Sequence, residues 1–176
     1  VAARDNLAEK NSLQLNEPDK VFNIPFATSP LIRNNILAYQ KLKKILYKNK
    51  YDIVHCNTPM GGVVTRLAAN KYRRNGTKVF YTVHGFHFYK GAPKKNWIIY
   101  YPIEKLLSRY TDKLIAISIE DFNTAKEKKF KTKIEHIHGV GANTDKYYLP
   151  SNELIQDLRR RMGYSKEDFI CVCTGE

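Results

Sequence analysis

With 176 residues, 43% hydrophobic and 12% aromatic, the chain carries enough apolar material for one full core and is neither disordered nor fibrous. Thirty lysines and arginines against 17 acidic residues give a net charge of +13, which favours an anionic partner without choosing among nucleic acid, a phospholipid surface and a phosphate-bearing substrate. No apolar run approaches the roughly 20 residues that span a bilayer, Val1-Ala2-Ala3-Arg4-Asp5 has neither the basic nor the apolar region of a secretion signal, and an odd count of three cysteines argues for reduced thiols in the cytosol.

In chain order, Lys20-Val21-Phe22-Asn23-Ile24 predicts a short strand stopped by Pro25. Ile32, Ile36, Tyr39, Leu42, Ile45 and Leu46 recur at helical spacing, so residues 31–49 form an amphipathic helix with a lysine-rich outer face. Residues 51–56 predict a buried strand. Asn57-Thr58-Pro59-Met60-Gly61-Gly62 then reads as a loop, and Val64, Leu67, Ala68 and Tyr72 as one helical stripe. Small residues in such a loop let a ligand approach backbone N–H groups at the helix start; a plain tight turn is the other reading.

Residues 78–83 are rich in β-branched and aromatic side chains, which predicts a buried strand running into Thr82-Val83-His84-Gly85-Phe86-His87-Phe88. The imidazole of His84 then stands at the carboxyl end of the strand, where an open α/β sheet binds its ligands, and Gly85 lets the chain turn. There it can donate to a sugar hydroxyl or orient a second group. The alternative is a buried imidazole satisfied by a backbone carbonyl.

The next helix puts Ile99, Ile103, Leu106, Leu107 and Tyr110 on one face, with Trp97, Ile98 and Tyr101 broadening the arc and Pro102 kinking or restarting it. Lys90, Lys94 and Lys95 beside Trp97 suggest an interfacial membrane element; the alternative is that the rings simply cover the sheet. Residues 112–117 form another strand, and Ser118 with Asp121 three residues on forms an N-cap with an acidic partner. Residues 133–137 are the next strand, Gly139-Val140-Gly141 is half of a dinucleotide glycine motif, and Ser151 caps a helix carrying Leu154, Ile155, Leu158 and Met162. Residues 169–173 read as a last strand with Cys171 and Cys173 on one side, ending where the chain ends, as in a truncated polypeptide. Strands alternating with helices predict a Rossmann-like, doubly wound parallel α/β sheet.

Three segments in order, residues 51–59, 82–88 and 139–147, together with 111–118, resemble the acceptor-side domain of GT4-type glycosyltransferases, close to enzymes of bacterial capsular and exopolysaccharide assembly. The resemblance covers nearly the whole chain and implies the N-terminal half of a GT-B fold, truncated at both ends. Residues 1–165 would be the acceptor-side domain, lacking its first strand and helix, and 166–176 the start of the donor-binding domain. It implies a retaining transfer from a nucleotide sugar, a UDP-sugar being expected, to a lipid-linked glycan acceptor. No metal is expected, and the fragment would be inactive alone. His84 would be the catalytic histidine of the cleft, and Asn57, Pro59, Gly61, Gly62, Gly85, Phe86 and His87 would shape the acceptor pocket. The implied setting is cytoplasmic, peripheral at the inner face of the plasma membrane, with an anionic membrane surface as partner and no nucleic acid. His138 and Asn143 depart from the residues usual in the family.

Three rivals are weaker. A basic nucleic-acid-binding α/β module would interleave aromatic and basic residues on one surface, whereas most rings here fall in strands or on apolar helix faces. His84, His87, His136 and His138 lack the cysteines of a usual zinc framework. No G-x-S-x-G elbow is present for a Ser/His/Asp hydrolase.

Overall fold

The computed structural model describes residues 1–3, 20–28, 32–139, 145 and 148–172. They fall into two compact units, Val1–Val140 and Gly141–Glu176.

The first unit begins with two short strands, β1 (Ala2–Ala3) and β2 (Phe22–Asn23), which pair in parallel. Helix α1 (Asn34–Lys48) follows, then the repeating series β3 (Ile53–Cys56), α2 (Pro59–Arg73), β4 (Lys78–Val83), α3 (Lys94–Leu107), a 3-10 turn (Ser108–Tyr110), β5 (Lys113–Ala116), α4 (Ile119–Glu127) and β6 (Lys133–His136). Strands β3, β4, β5 and β6 lie side by side in that order, all parallel, with Cys56 opposite Tyr81, Val83 opposite Ala116 and Ala116 opposite His136. The fold is the Rossmann-like parallel α/β architecture the alternating pattern predicts, but the crossover helices of the described residues cover one face of the four-stranded sheet, where a doubly wound sheet has helices on both.

Because each crossover advances the sheet in the same direction, a right-handed connection sends every helix to the same face. The packing agrees. Cys56, Tyr81, Val83, Leu114 and Ala116 point to one side and form a core with Phe86, Phe88, Ala125 and Phe130, against which Trp97, Tyr100 and Tyr101 of α3 and Phe122 of α4 are laid. A second core joins Val79 to Ile24, to Ala38, Leu42 and Leu46 of α1, and to Val64, Ala68 and Ala69 of α2.

The strand at residues 51–56 is shorter than expected and is not buried: Cys56 is enclosed, Val54 is half-buried, and Ile53 and His55 are exposed. Strand β3 is the edge of the four-stranded sheet, with helices against only one face, so burial alternates with the pleat. The glycine-containing loop is likewise not a loop. Pro59 opens α2 and Gly61 and Gly62 belong to its first turns, because Pro at the first position is already set for helix and wastes no donor. Pro102 does not restart α3, which runs through it; the residue whose carbonyl loses its helical donor, Ile98, is 74% exposed.

The second unit holds α5 (Asn152–Arg161), capped as expected by Ser151, whose Oγ accepts from Leu154 N, and followed by Gly163 at φ +79°. The expected strand at 169–173 does not form in residues 169–172: Phe169 and Val172 are 93% and 82% exposed with no partner strand among the described residues. Leu31, Val140, Gly141, Asn143 and Cys173 lie outside the described residues.

Candidate active site

All four strands of the sheet end at one edge, and the residues that follow them gather there: Asn57 after β3, His84 after β4 and Ser118 after β5. Gly85, at φ +144°, turns the chain after His84 in a conformation that only glycine adopts readily. His84 is exposed, which excludes the buried-imidazole alternative, and its Nε2 lies 3.4 Å from Asn57 Oδ1. Since Oδ1 only accepts, the imidazole must carry its proton on Nε2 to make this bond. One ring edge is thus turned to Asn57, the residue after β3.

The segment beyond Gly85 is fastened from below. Phe86 N donates to Asp121 Oδ1 at 3.0 Å, Ser118 Oγ donates to Asp121 Oδ2 at 2.7 Å, and Asp121 N donates back to Ser118 Oγ at 3.1 Å. The N-cap pair anticipated for α4 is therefore also the anchor of the His84 loop. Asn96 Nδ2 donates to His87 O, Trp97 Nε1 donates to Tyr89 O, and the His87 ring lies on Tyr100 with centroids 4.6 Å apart. Phe86 and Phe88 stack at 4.6 Å inside the core. A loop pinned by buried groups holds its exposed histidine in one place.

Beside it opens a cavity of about 390 Å³ bounded by the start of α2 (Thr58, Pro59, Met60, Gly61, Val63), the end of β4 and its loop (Tyr81, Gly85, Phe86, His87, Phe88), one side of α3 (Ile99, Tyr100, Ile103, Glu104) and Phe26, Ala27 and Thr28. Its volume is in the range of small-molecule sites, roughly 300–1,000 Å³. Of the residues expected to shape the acceptor pocket, Pro59, Gly61, Gly85, Phe86 and His87 line the cavity, Asn57 stands at the sheet edge outside its lining beside the expected catalytic His84, and Gly62 is turned toward Tyr81 instead. Thr58, the N-cap of α2, has φ 63° and ψ 149°, a conformation that costs a non-glycine residue roughly 1–3 kcal/mol and that clusters at functional sites.

Sequence reasoning missed the buried ion pair behind this cavity, of which Glu104 is on the lining. Arg66, fully buried, forks onto Glu104 with Nη1–Oε2 2.8 Å and Nη2–Oε1 3.0 Å, donates Nε to Gly62 O, and stacks its guanidinium 4.0 Å from the Tyr81 ring centroid. Burial works against the charge on Arg66, but Glu104 outweighs it and the guanidinium is held more firmly protonated than usual. Burial pushes the Tyr81 phenol up and the Cys56 thiol up to about 12, so both stay neutral. Charge behind the cavity is thus cancelled within one pair. No local motif announces it, since the partners are 38 residues apart.

The proposed membrane residues divide. Lys90, Lys94 and Lys95 are exposed, and none has an ion-pair partner among the described residues. Trp97 is not at the surface with them: it is half-buried against Phe88 and Tyr101, under Lys128 Nζ, and covers the core. The apolar residues that α3 does expose are Ile98, Ile99, Ile103 and Leu106. Among the described residues no helix is long and apolar enough to cross a membrane.

A parallel α/β sheet with an exposed histidine and an adjoining cavity at its carboxyl edge defines a ligand-binding domain of the Rossmann-like class. Residues 2–140 match Glycosyltransferase Family 4, and the chain belongs to that family. It is 47% identical over 172 residues to "Putative glycosyltransferase EpsD" of Bacillus subtilis (strain 168), covering 97% of this chain and 45% of that protein. It is 38% identical over 156 residues to the UDP-Gal:alpha-D-GlcNAc-diphosphoundecaprenol alpha-1,3-galactosyltransferase of Escherichia coli, covering 83% of this chain and 39% of that one. A third relative, 32% identical over 84 residues, is an uncharacterized 41.2 kDa protein in the cps region of Klebsiella pneumoniae. The chain spans less than half the length of each of these curated relatives.

Proposed function

We propose that the chain is the acceptor-side domain of a retaining glycosyltransferase that moves a sugar from a nucleotide sugar, a UDP-sugar, onto a lipid-linked glycan acceptor during synthesis of a bacterial surface polysaccharide. It works at the inner face of the plasma membrane and needs no cofactor beyond its donor. His84 is the catalytic group, held by Asn57 and contacting the transferring sugar and acceptor at the reaction centre; Pro59, Gly61, Gly85, Phe86 and His87 shape the neighbouring pocket. Donor binding and stabilisation of the leaving diphosphate fall to a second domain beginning near residues 166–176, so residues 1–176 alone carry out no transfer.

The observation that carries this reading is the exposed His84 fixed by Asn57 on one side and by the Asp121-anchored loop on the other, beside a small-molecule cavity. The relative that acts on a diphosphoundecaprenol-linked sugar supports the acceptor class. In an enzyme containing both domains, His84→Ala should lower turnover at least about tenfold with the fold intact, since one hydrogen bond made in the transition state is worth roughly 1.4 kcal/mol or more. Wild-type turnover in the folded variant removes His84 from the reaction. Sugar transfer by residues 1–176 alone overturns the two-domain assignment.

A further inference from the structure

The walls of the cavity do not suit a sugar. Most of the wall is hydrocarbon, from Phe26, Met60, Val63, Phe88, Ile99 and Ile103; the polar side chains on it are Thr28, Thr58, Tyr81, His87, Tyr100 and Glu104, the last with both oxygens committed to Arg66. A glycan entering here would give up its hydrogen bonds to water and find few replacements, which is costly for every hydroxyl left unpaired. An apolar chain has no such penalty, and the neutralised ion pair behind the cavity does not repel what it carries.

The opening of the cavity continues onto an apolar surface. Ile99 and Ile103 line it while remaining 49% and 38% exposed, so both touch the inside and the outside. They sit four residues apart on α3, and Lys95 sits four residues before Ile99, so the three stack in one row along the helix. Side chains on a helix lean toward its N-terminus, which carries the Lys95 ammonium beyond the apolar part of the row. Lys94 is its neighbour at the helix start, Lys90 lies in the preceding loop with its backbone N–H donating to Glu120 Oε1 at 3.4 Å, and none of the three ammonium groups forms an ion pair among the described residues. The first turn of α3 holds no acidic residue, so the helix dipole adds to this positive field. A cation row leading into a hydrocarbon slot matches an amphiphile with an anionic head and an apolar tail.

We infer that the cavity is a subsite for the lipid carrier itself: it takes the first isoprene units of a polyprenyl diphosphate, with the diphosphate at Lys90, Lys94 and Lys95 and the chain running along Ile99 and Ile103. The inference rests on reading the acceptor as lipid-linked and adds that the domain recognises the lipid as well as the sugar. The sugar then stands outside the cavity, toward the sheet edge where His84 and Asn57 lie.

Binding tests this without catalysis. Trp97, the only tryptophan, packs on Phe88 of the cavity wall and reports the site by fluorescence. Titration with farnesyl diphosphate below its aggregation threshold should saturate with an affinity at least about tenfold better than inorganic diphosphate or farnesol, because head and tail each contribute. Ile103→Glu should lose at least about tenfold of that affinity and Lys95→Glu a comparable amount, while Tyr47→Glu, on the exposed surface of α1, should bind as wild type. The comparison of ligands needs no variant, so it holds even if one fails to fold. Equal affinity for farnesyl diphosphate and inorganic diphosphate would overturn the inference, as would unchanged binding in a folded Ile103→Glu. Either failure leaves the transferase reading standing, and a failed transfer assay leaves prenyl binding to be observed on its own.

Discussion

At the scale of single residues, two adjacent glycines face opposite fates. A Cβ at Gly62 would stand 2.6 Å from Tyr81 Cε2, and that ring cannot step aside because it is 2% exposed and clamped under the Arg66 guanidinium. Alanine's helix-propensity gain of about 1 kcal/mol is therefore outweighed by overpacking of roughly 1–3 kcal/mol. At Gly61 the nearest obstacle is Thr58 Oγ1 at 2.7 Å, the end of a side chain that can rotate. Chemical denaturation should show Gly62→Ala destabilised and Gly61→Ala near neutral or better. The Arg66–Glu104 pair makes a sharper demand. Glu104→Ala leaves a fully buried cation without a partner, at a cost of about 3–5 kcal/mol, whereas replacing both with apolar side chains of similar volume removes the cation and should restore most of the loss. Equal stability of the single and double variants would mean that the pair does not hold α2 to α3.

At the scale of elements, Asp112 ties three together. It accepts from Arg73 of α2 at 2.9 and 3.0 Å and from the Val79 N–H of β4 at 2.8 Å, just before β5 begins. Partial burial alone would raise its carboxyl, but the Arg73 bonds and the Val79 N–H prevail and hold it below the usual carboxylate range. With the folded value below the unfolded one, its contribution is complete above the ordinary aspartate value of about 3.9 and fades as pH falls through the folded value. Urea midpoints should therefore fall more steeply on acidification in wild type than in Asp112→Asn, with the two curves converging at the acid end. Parallel curves would deny Asp112 this role.

What the sequence made legible follows the same division. Strands β4 and β5 and the Ser118–Asp121 cap rest on contiguous residues and could be read directly. The apolar run at β3 predicts a buried strand, because such a run does not say whether helices cover one face or two. Gly61-Gly62 mimics a turn, and its reason for being helical is a tyrosine ring on the next strand. Trp97 looked interfacial beside its lysines, yet Phe88 and Tyr101 fold around it. The ion pair behind the cavity joins α2 to α3 through residues with no shared motif, so only the tertiary structure displays it.

At the scale of the whole molecule, the net charge of +13 needs a use, and the described surface divides its cations into engaged and free. Lys126 stands over Phe122 at 4.2 Å and Lys128 over Trp97 at 5.4 Å, whereas Lys94 and Lys95 begin the helix one turn before the exposed Ile98 and Ile99, with Lys90 in the loop ahead of them. If this side of α3 meets an anionic leaflet, each lysine adds about 1 kcal/mol, screened over about 8 Å at physiological ionic strength, and the isoleucines add a salt-insensitive part that the inward-facing rings do not. Changing the three lysines to glutamate should abolish salt-sensitive co-sedimentation with anionic liposomes, by about 100-fold or more at low salt. Ile98→Asp should weaken what persists at high salt. The same charge reversal at Lys126, Lys128 and Lys129 should matter less. Equal sedimentation of wild type and the first triple variant would return α3 to the role of sheet cover and leave the charge to the diphosphates of donor and acceptor.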